Sequence, residues 1–73
     1  MYRKEALLDL YPREYWEHML EQWVHDEIAR KSISRNFLDG IPYEQIAEEL
    51  LVSRATVFNK IRKYAPKLFK HVD

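Results

Sequence analysis

The sequence predicts an all-α fold, and three observations carry that expectation. Apolar residues recur at three- and four-residue spacing through most of the chain, and no stretch shows the strict alternation of a half-buried strand. The single glycine and the three prolines fall at joints between helical patterns and not within alternating runs. A hydrophobic fraction of 47%, with 14% aromatic residues, supports a folded core and not a disordered tail. At 73 residues the chain forms one domain, a small bundle of four to five helices. A chain of this length buries only about 60% of the surface its unfolded form exposes, so its packing must be good or a partner must help.

The elements follow in order. Tyr2 to Leu10 reads as a short helix with Ala6, Leu7 and Leu10 on one side. Pro12 disfavours helical geometry at Tyr11 and suits the first turn of the next helix, where its missing N–H costs nothing. That helix runs to about Val24, with Trp16, Leu20, Trp23 and Val24 as a 3.6-period stripe and Glu14 and Glu17 in its first turns, where the macrodipole favours them. Asp26 reads as the N-cap of a helix carrying Ile28, Ile33, Phe37 and Leu38, although one continuous helix over 12–38 is a competing expectation. Gly40 stands where a helix end calls for a left-handed residue. A further helix starts at Ile41-Pro42-Tyr43 and ends near Leu50 or Leu51. Ser53 caps the next, predicted over 54–64, and Ala65-Pro66 ends it. Pro66 then opens a last turn with Leu68 and Phe69.

A formal net charge of zero conceals a polarity. Residues 1–50 hold six basic against eleven acidic groups, a net of −5, whereas residues 51–73 hold six basic groups against Asp73 alone, a net of +5. Such a dipole orients a molecule on a polyanion, although basic residues also favour helix C-termini for their own sake. With no cysteine, disulfides and thiolate metal sites are excluded, which fits a reducing, cytoplasmic setting. The N-terminus has no long apolar stretch and no small-residue cleavage site, so neither a signal peptide nor a membrane span is expected.

The most informative stretch is YEQIAEELLVSRATVFNKIRKY, Tyr43 to Tyr64, where two helical patterns are separated by Leu51, Val52 and Ser53. Ile46, Ala47 and Leu50 form the inward face of the first, and Val57 and Ile61 that of the second. Ala47 is small where the helices would cross, and Val52 plugs the angle between them. This is the pattern of a helix-turn-helix, which presents its second helix outward. That helix would present Arg54, Ala55, Thr56, Asn59 and Lys60 to base edges: Arg and Lys donate to guanine, Asn pairs with adenine, and Thr and Ala suit a thymine methyl. Ser53, Arg62, Lys63, Lys67 and Lys70 would meet phosphates. No acidic residue occurs from Leu51 to Val72, whereas a merely solvated face mixes signs.

On these residues, GIPYEQIAEELLVSRATVFNKIRKY resembles the helix-turn-helix of region 4 of bacterial sigma factors, the part that reads the −35 promoter element, and Arg35 to Gly40 resembles the end of the helix before it. The likeness spans roughly Asp26 to Leu68. The chain is also similar to small region 4-like regulators of phages and mobile elements, with their Tyr-Trp-bearing N-terminal helix and Lys-Leu-Phe-Lys-His ending. The resemblance implies base- or groove-facing roles for Arg54, Ala55, Thr56, Asn59 and Lys60, and backbone-facing roles for Ser53 and Lys63. It divides the domain into N-terminal packing or interaction helices, 1–25, and a helix-turn-helix region, 26–69. Two positions depart from the family: Leu51 stands where the turn usually has Gly, and Pro42 where a Ser or Thr cap is usual. The segments with which a full sigma factor binds core polymerase and melts a promoter are lacking, so a complete sigma factor is not expected.

The expected function is therefore a sequence-specific DNA-binding transcription regulator with double-stranded DNA as partner. Two alternatives stand beside it: a region 4-like interaction module that binds RNA polymerase or another regulator, and a recombinase accessory protein. Tyr15, Trp16, Met19 and Trp23 are most simply core, yet they surround much of one helix, and the surplus suits an interface with a second copy or with polymerase. His18, His25 and His71 share no metal-ligand spacing. Glu48-Glu49 and Glu14 with Glu17 read as solvated faces, and no nucleophile–base grouping or Gly-rich phosphate loop occurs, so neither an enzyme nor a cofactor is expected.

Overall fold

A proline opens the first complete helix and a left-handed leucine closes the third, and between them the chain folds as the all-α class predicts. The computed structural model describes residues 8–72. Among them are α1 (Arg13–Trp23), α2 (Glu27–Ile33), a π-helical turn (Ser34–Leu38), α3 (Tyr43–Leu50) and α4 (Arg54–Lys70), with no strand. Of the helix expected over Tyr2 to Leu10, only 8–10 lie in the described part; they are helical, but Leu10 is 66% exposed and does not face the core. In α1, Pro12 stands at the N-cap and its carbonyl accepts from the Tyr15 and Trp16 N–H groups, so the first turn closes without a capping side chain.

Residues 12–38 are not one helix. Val24 turns extended and is fully buried, and Asp26 caps α2 by accepting the Ala29 N–H at 2.9 Å. Arg30 reaches back to the Val24 carbonyl, which the broken helix would otherwise leave without a partner. The inward face of α2 is Ala29, Ser32 and Ile33, while Ile28, Phe37 and Leu38 are only half-buried. Past Ile33 the helix widens into the π turn, and Phe37 there lies parallel to Phe69 at 5.6 Å. Gly40, at φ 69°, ends the run: its N–H donates to the Asn36 carbonyl and that of Ile41 to the Arg35 carbonyl, a widened glycine cap. No atom lies near where a Cβ would be, so backbone conformation alone demands glycine here.

α3 ends in a tight turn built on a leucine. Leu51 adopts φ 58°, ψ 41°, its N–H donates to the Glu48 carbonyl and that of Val52 to the Ala47 carbonyl, which is the hydrogen-bond pattern of a glycine-type cap. The Leu51 side chain is 91% exposed and packs against little, so nothing offsets the strain of a left-handed leucine. Leu51→Gly is therefore expected to stabilise the domain by roughly 1 kcal/mol, raising Tm by about 4–8 °C in a thermal melt followed by circular dichroism. A lower Tm would mean that the leucine side chain contributes packing. Ser53 then caps α4, its Oγ accepting the Thr56 N–H at 3.1 Å.

α4 is the central element and packs against each of the other three α-helices. Its buried stripe is Val57, Ile61, Ala65, Leu68 and Phe69, and against it lie Trp16 and Leu20 of α1, Ala29 and Ile33 of α2, and Ile46 and Ala47 of α3. The helix runs unbroken through Pro66 to Lys70, about six residues beyond the end near 64 that the sequence suggested. Burial of Ala65, Leu68 and Phe69 on one side explains this: leaving the helix at Ala65 would pull the last turn's apolar groups from the core. Trp16 and Met19, read from the sequence as most simply core with an interface as the alternative, are 2% and 7% exposed and belong to the core. Trp23, placed by periodicity in the apolar stripe, lies instead at the surface, its ring stacked 3.6 Å from His71.

Candidate nucleic-acid interface

Every basic residue of the C-terminal segment, Arg54, Lys60, Arg62, Lys63, Lys67 and Lys70, lies on α4. The buried stripe occupies positions 57, 61, 65 and 68, so the 3.6-residue period turns Ala55, Asn59, Lys63 and Lys70 to the opposite side. Arg54, Ala55, Asn59, Arg62, Lys63, Lys67 and Lys70 are exposed, and Thr56 is half-buried at the edge. The expected base-facing and phosphate-facing sets thus share one accessible surface, with one exception.

The exception is Lys60. Its Nζ is ion-paired with the Asp26 carboxylate, the same group that caps α2, and its side chain is 34% exposed. The Lys60 ammonium and then the Ala29 N–H hold the Asp26 carboxyl below its ordinary range, and the carboxylate in turn raises the lysine. Helical phase explains the placement. Lys60 precedes buried Ile61 and lies on the flank of α4 that borders α2, not on its outermost line. In this arrangement its charge clamps α4 to the start of α2 and is not turned to a base.

Ser53 is exposed, and its hydroxyl is engaged in the cap, 2.8 Å from the Thr56 hydroxyl. That bond ties both side chains to the first turn of α4. Lys63 and Lys67 sit on either side of Tyr64, with Nζ 5.4 and 5.1 Å from the ring centroid, so the phenol face steadies two cations that water would otherwise leave mobile.

The position of α3 against α1 and the π turn is set partly by a charge network that sequence reasoning missed. Arg35 grips Glu49 through two hydrogen bonds, 2.9 and 2.7 Å, and bonds Asp39 at 3.0 Å; Asp39 in turn accepts from Arg13 at 2.7 Å. One chain of fork-shaped contacts therefore joins α1, the π turn and α3. The Arg13 guanidinium, followed by that of Arg35, holds Asp39 below the usual carboxylate range; Arg35 does the same for Glu49. Glu49, read from the sequence as solvated with Glu48, is in fact the strap between α3 and the π turn. Its partner stands 14 positions away, a separation at which no local pattern identifies a pair.

Two aromatic residues were also missed. Phe58 is 43% exposed on the flank of α4, and Tyr43, in the first turn of α3, meets it edge-on at 6.0 Å and 60°. A shallow cleft is lined by these two with Arg54 and Ala55. The available signal was phase: Phe58 follows buried Val57 directly and so cannot share its direction. Elsewhere, His18 and His25 are exposed, no group of three or more His, Cys, Asp or Glu among the described residues is arranged to hold a metal, and no helix there is long and apolar enough to cross a membrane. Compared with known proteins, the chain matches no family model, no curated protein and no solved structure.

Proposed function

We propose that this chain is a sequence-specific DNA-binding transcription regulator, in which α3, the Leu51–Ser53 turn and the front of α4 act as a helix-turn-helix like that of sigma factor region 4. The observation that carries the reading is the exposed face of α4, which follows a tight turn and holds five basic residues with no ion-pair partner among the described residues and no acid. An α-helix fits the major groove, and the residue types on the outer line of α4 suit its contents. Arg54 and Asn59 donate to guanine and adenine edges, Ala55 and Thr56 meet thymine methyls, and Arg62, Lys63, Lys67 and Lys70 neutralise phosphates. Lys60 keeps to its structural clamp. So small a domain touches few phosphates, and tight binding in the cytoplasm would call for a second copy or for polymerase nearby. The alternative reading through the aromatic face of α1 loses Trp16 and Met19 to the core and retains only Tyr15 and Trp23.

Fluorescence anisotropy with random-sequence duplex DNA across a salt series tests this. Wild-type affinity is expected to fall steeply between 50 and 200 mM salt, and Lys63→Ala to reduce the slope of log K against log salt by about one, weakening all sequences alike. Arg54→Ala should instead relax preference at one base pair of a selected site, with a loss of roughly 5- to 150-fold there. Lys60 is left intact, since removing it would strip the Asp26 cap of its partner and confuse stability with binding. Wild-type protein that ignores duplex DNA even at low salt would sink the proposal.

A further inference from the structure

We infer that Ala55 and Phe58 form an apolar reader for the 5-methyl group of thymine in the major groove, a refinement that rests on the DNA reading above. Phe58 is a large ring left 43% exposed, while its neighbour Val57 is fully buried. It follows Ala55 by three positions and Arg54 by four, so the three share one strip of the helix, and Arg62 continues it one turn on. Tyr43 meets the ring edge-on and limits its swing, leaving a cleft lined by Tyr43, Arg54, Ala55 and Phe58.

The charge around this ring selects the occupant. Arg54 and Arg62 flank it, no acid occurs between Leu51 and Val72, and Glu44, at the adjoining cleft with Tyr43 and Arg54, is the one acidic lining residue of the two clefts. An apolar protein surface would cover Phe58 but leave these guanidinium groups facing it without partners. DNA supplies both complements, phosphate for the cations and a methyl group for the ring. Neither Ala55 nor Phe58 carries a hydrogen-bonding side-chain group, so what they recognise is apolar, and thymine is the unmodified base that offers a methyl in the major groove.

The test uses the duplex selected from a random pool by the wild-type protein, with each thymine replaced singly by deoxyuracil, which removes only the methyl. One or two replacements should weaken wild-type binding roughly four-fold each, the worth of burying one methyl group. Phe58→Ala, checked for folding by circular dichroism, should bind the thymine and uracil duplexes equally. Phe58→Leu, which keeps an apolar side chain, should retain part of the discrimination. The wild-type comparison needs no variant, so a Phe58→Ala that fails to fold leaves the test intact. If every uracil duplex binds wild type as tightly as its parent while Arg54→Ala still weakens binding, the thymine reader is overturned and the DNA reading stands. If Phe58→Ala folds and still discriminates thymine from uracil, the reader is likewise overturned. Absence of any salt-dependent duplex binding overturns both.

Discussion

Trp16→Ala is expected to leave the domain largely unfolded. The ring is 2% exposed and makes edge-on contacts with Tyr11 at 5.9 Å, Tyr15 at 5.3 Å and Phe69 at 5.8 Å, so it joins the segment before α1, α1 itself and the last turn of α4. Truncating a buried tryptophan to alanine costs about 3–5 kcal/mol, against a total of roughly 4–11 kcal/mol for a chain of this length. Trp16→Phe should behave differently. The indole Nε1 is buried without a hydrogen-bond partner among the described residues, and removing that donor relieves a penalty of about 1–3 kcal/mol. The lost ring area offsets part of the gain, and the phenylalanine variant should lie within about 1 kcal/mol of wild type. Urea titrations of the two variants, followed by far-ultraviolet circular dichroism, separate the cases. An alanine variant with the wild-type midpoint would return Trp16 to the surface role that the sequence alone allowed.

Pro66→Ala should move stability in the other direction. Pro66 is exposed on α4, four residues after Arg62, whose carbonyl it can neither bond nor approach without ring contact. Proline in a helix interior is about 3 kcal/mol worse than alanine, while its restriction of the unfolded chain returns about 0.4–1 kcal/mol. The net expectation is a gain of roughly 2 kcal/mol and a Tm higher by about 10 °C. An unchanged or lower Tm would place a real break at Ala65, as local propensity suggested.

These two residues mark where local reasoning stopped. At Pro66 the sequence carries a strong stop signal, worth a few kcal/mol at most. Burying Ala65, Leu68 and Phe69 against Trp16 and Phe37 outweighs it, and that sum exists only once α1 and the π turn are in place. At Trp16 the stripe was legible, but its 3.6-residue period also took in Trp23, which lies at the end of α1 where the chain turns away and its ring finds His71 instead. Lys60 shows the same limit in the candidate site. Residue type put it in the base-facing set, and only its partner across 34 positions, Asp26, shows where its charge points.

What the sequence determined by itself is the set of features whose causes are local. The all-α class, the caps at Asp26 and Ser53, the left-handed stop at Gly40, the short turn before α4 and the acid-free outer face of that helix all depend on residues within a few positions of one another. The tertiary structure decided how far α4 extends, which aromatic rings are core, the Arg13–Asp39–Arg35–Glu49 strap that holds α3, and the exposure of Phe58 beside Tyr43. Each of these depends on groups brought together from distant parts of the chain, because burial and ion pairing act through space and are not written in the spacing of neighbours.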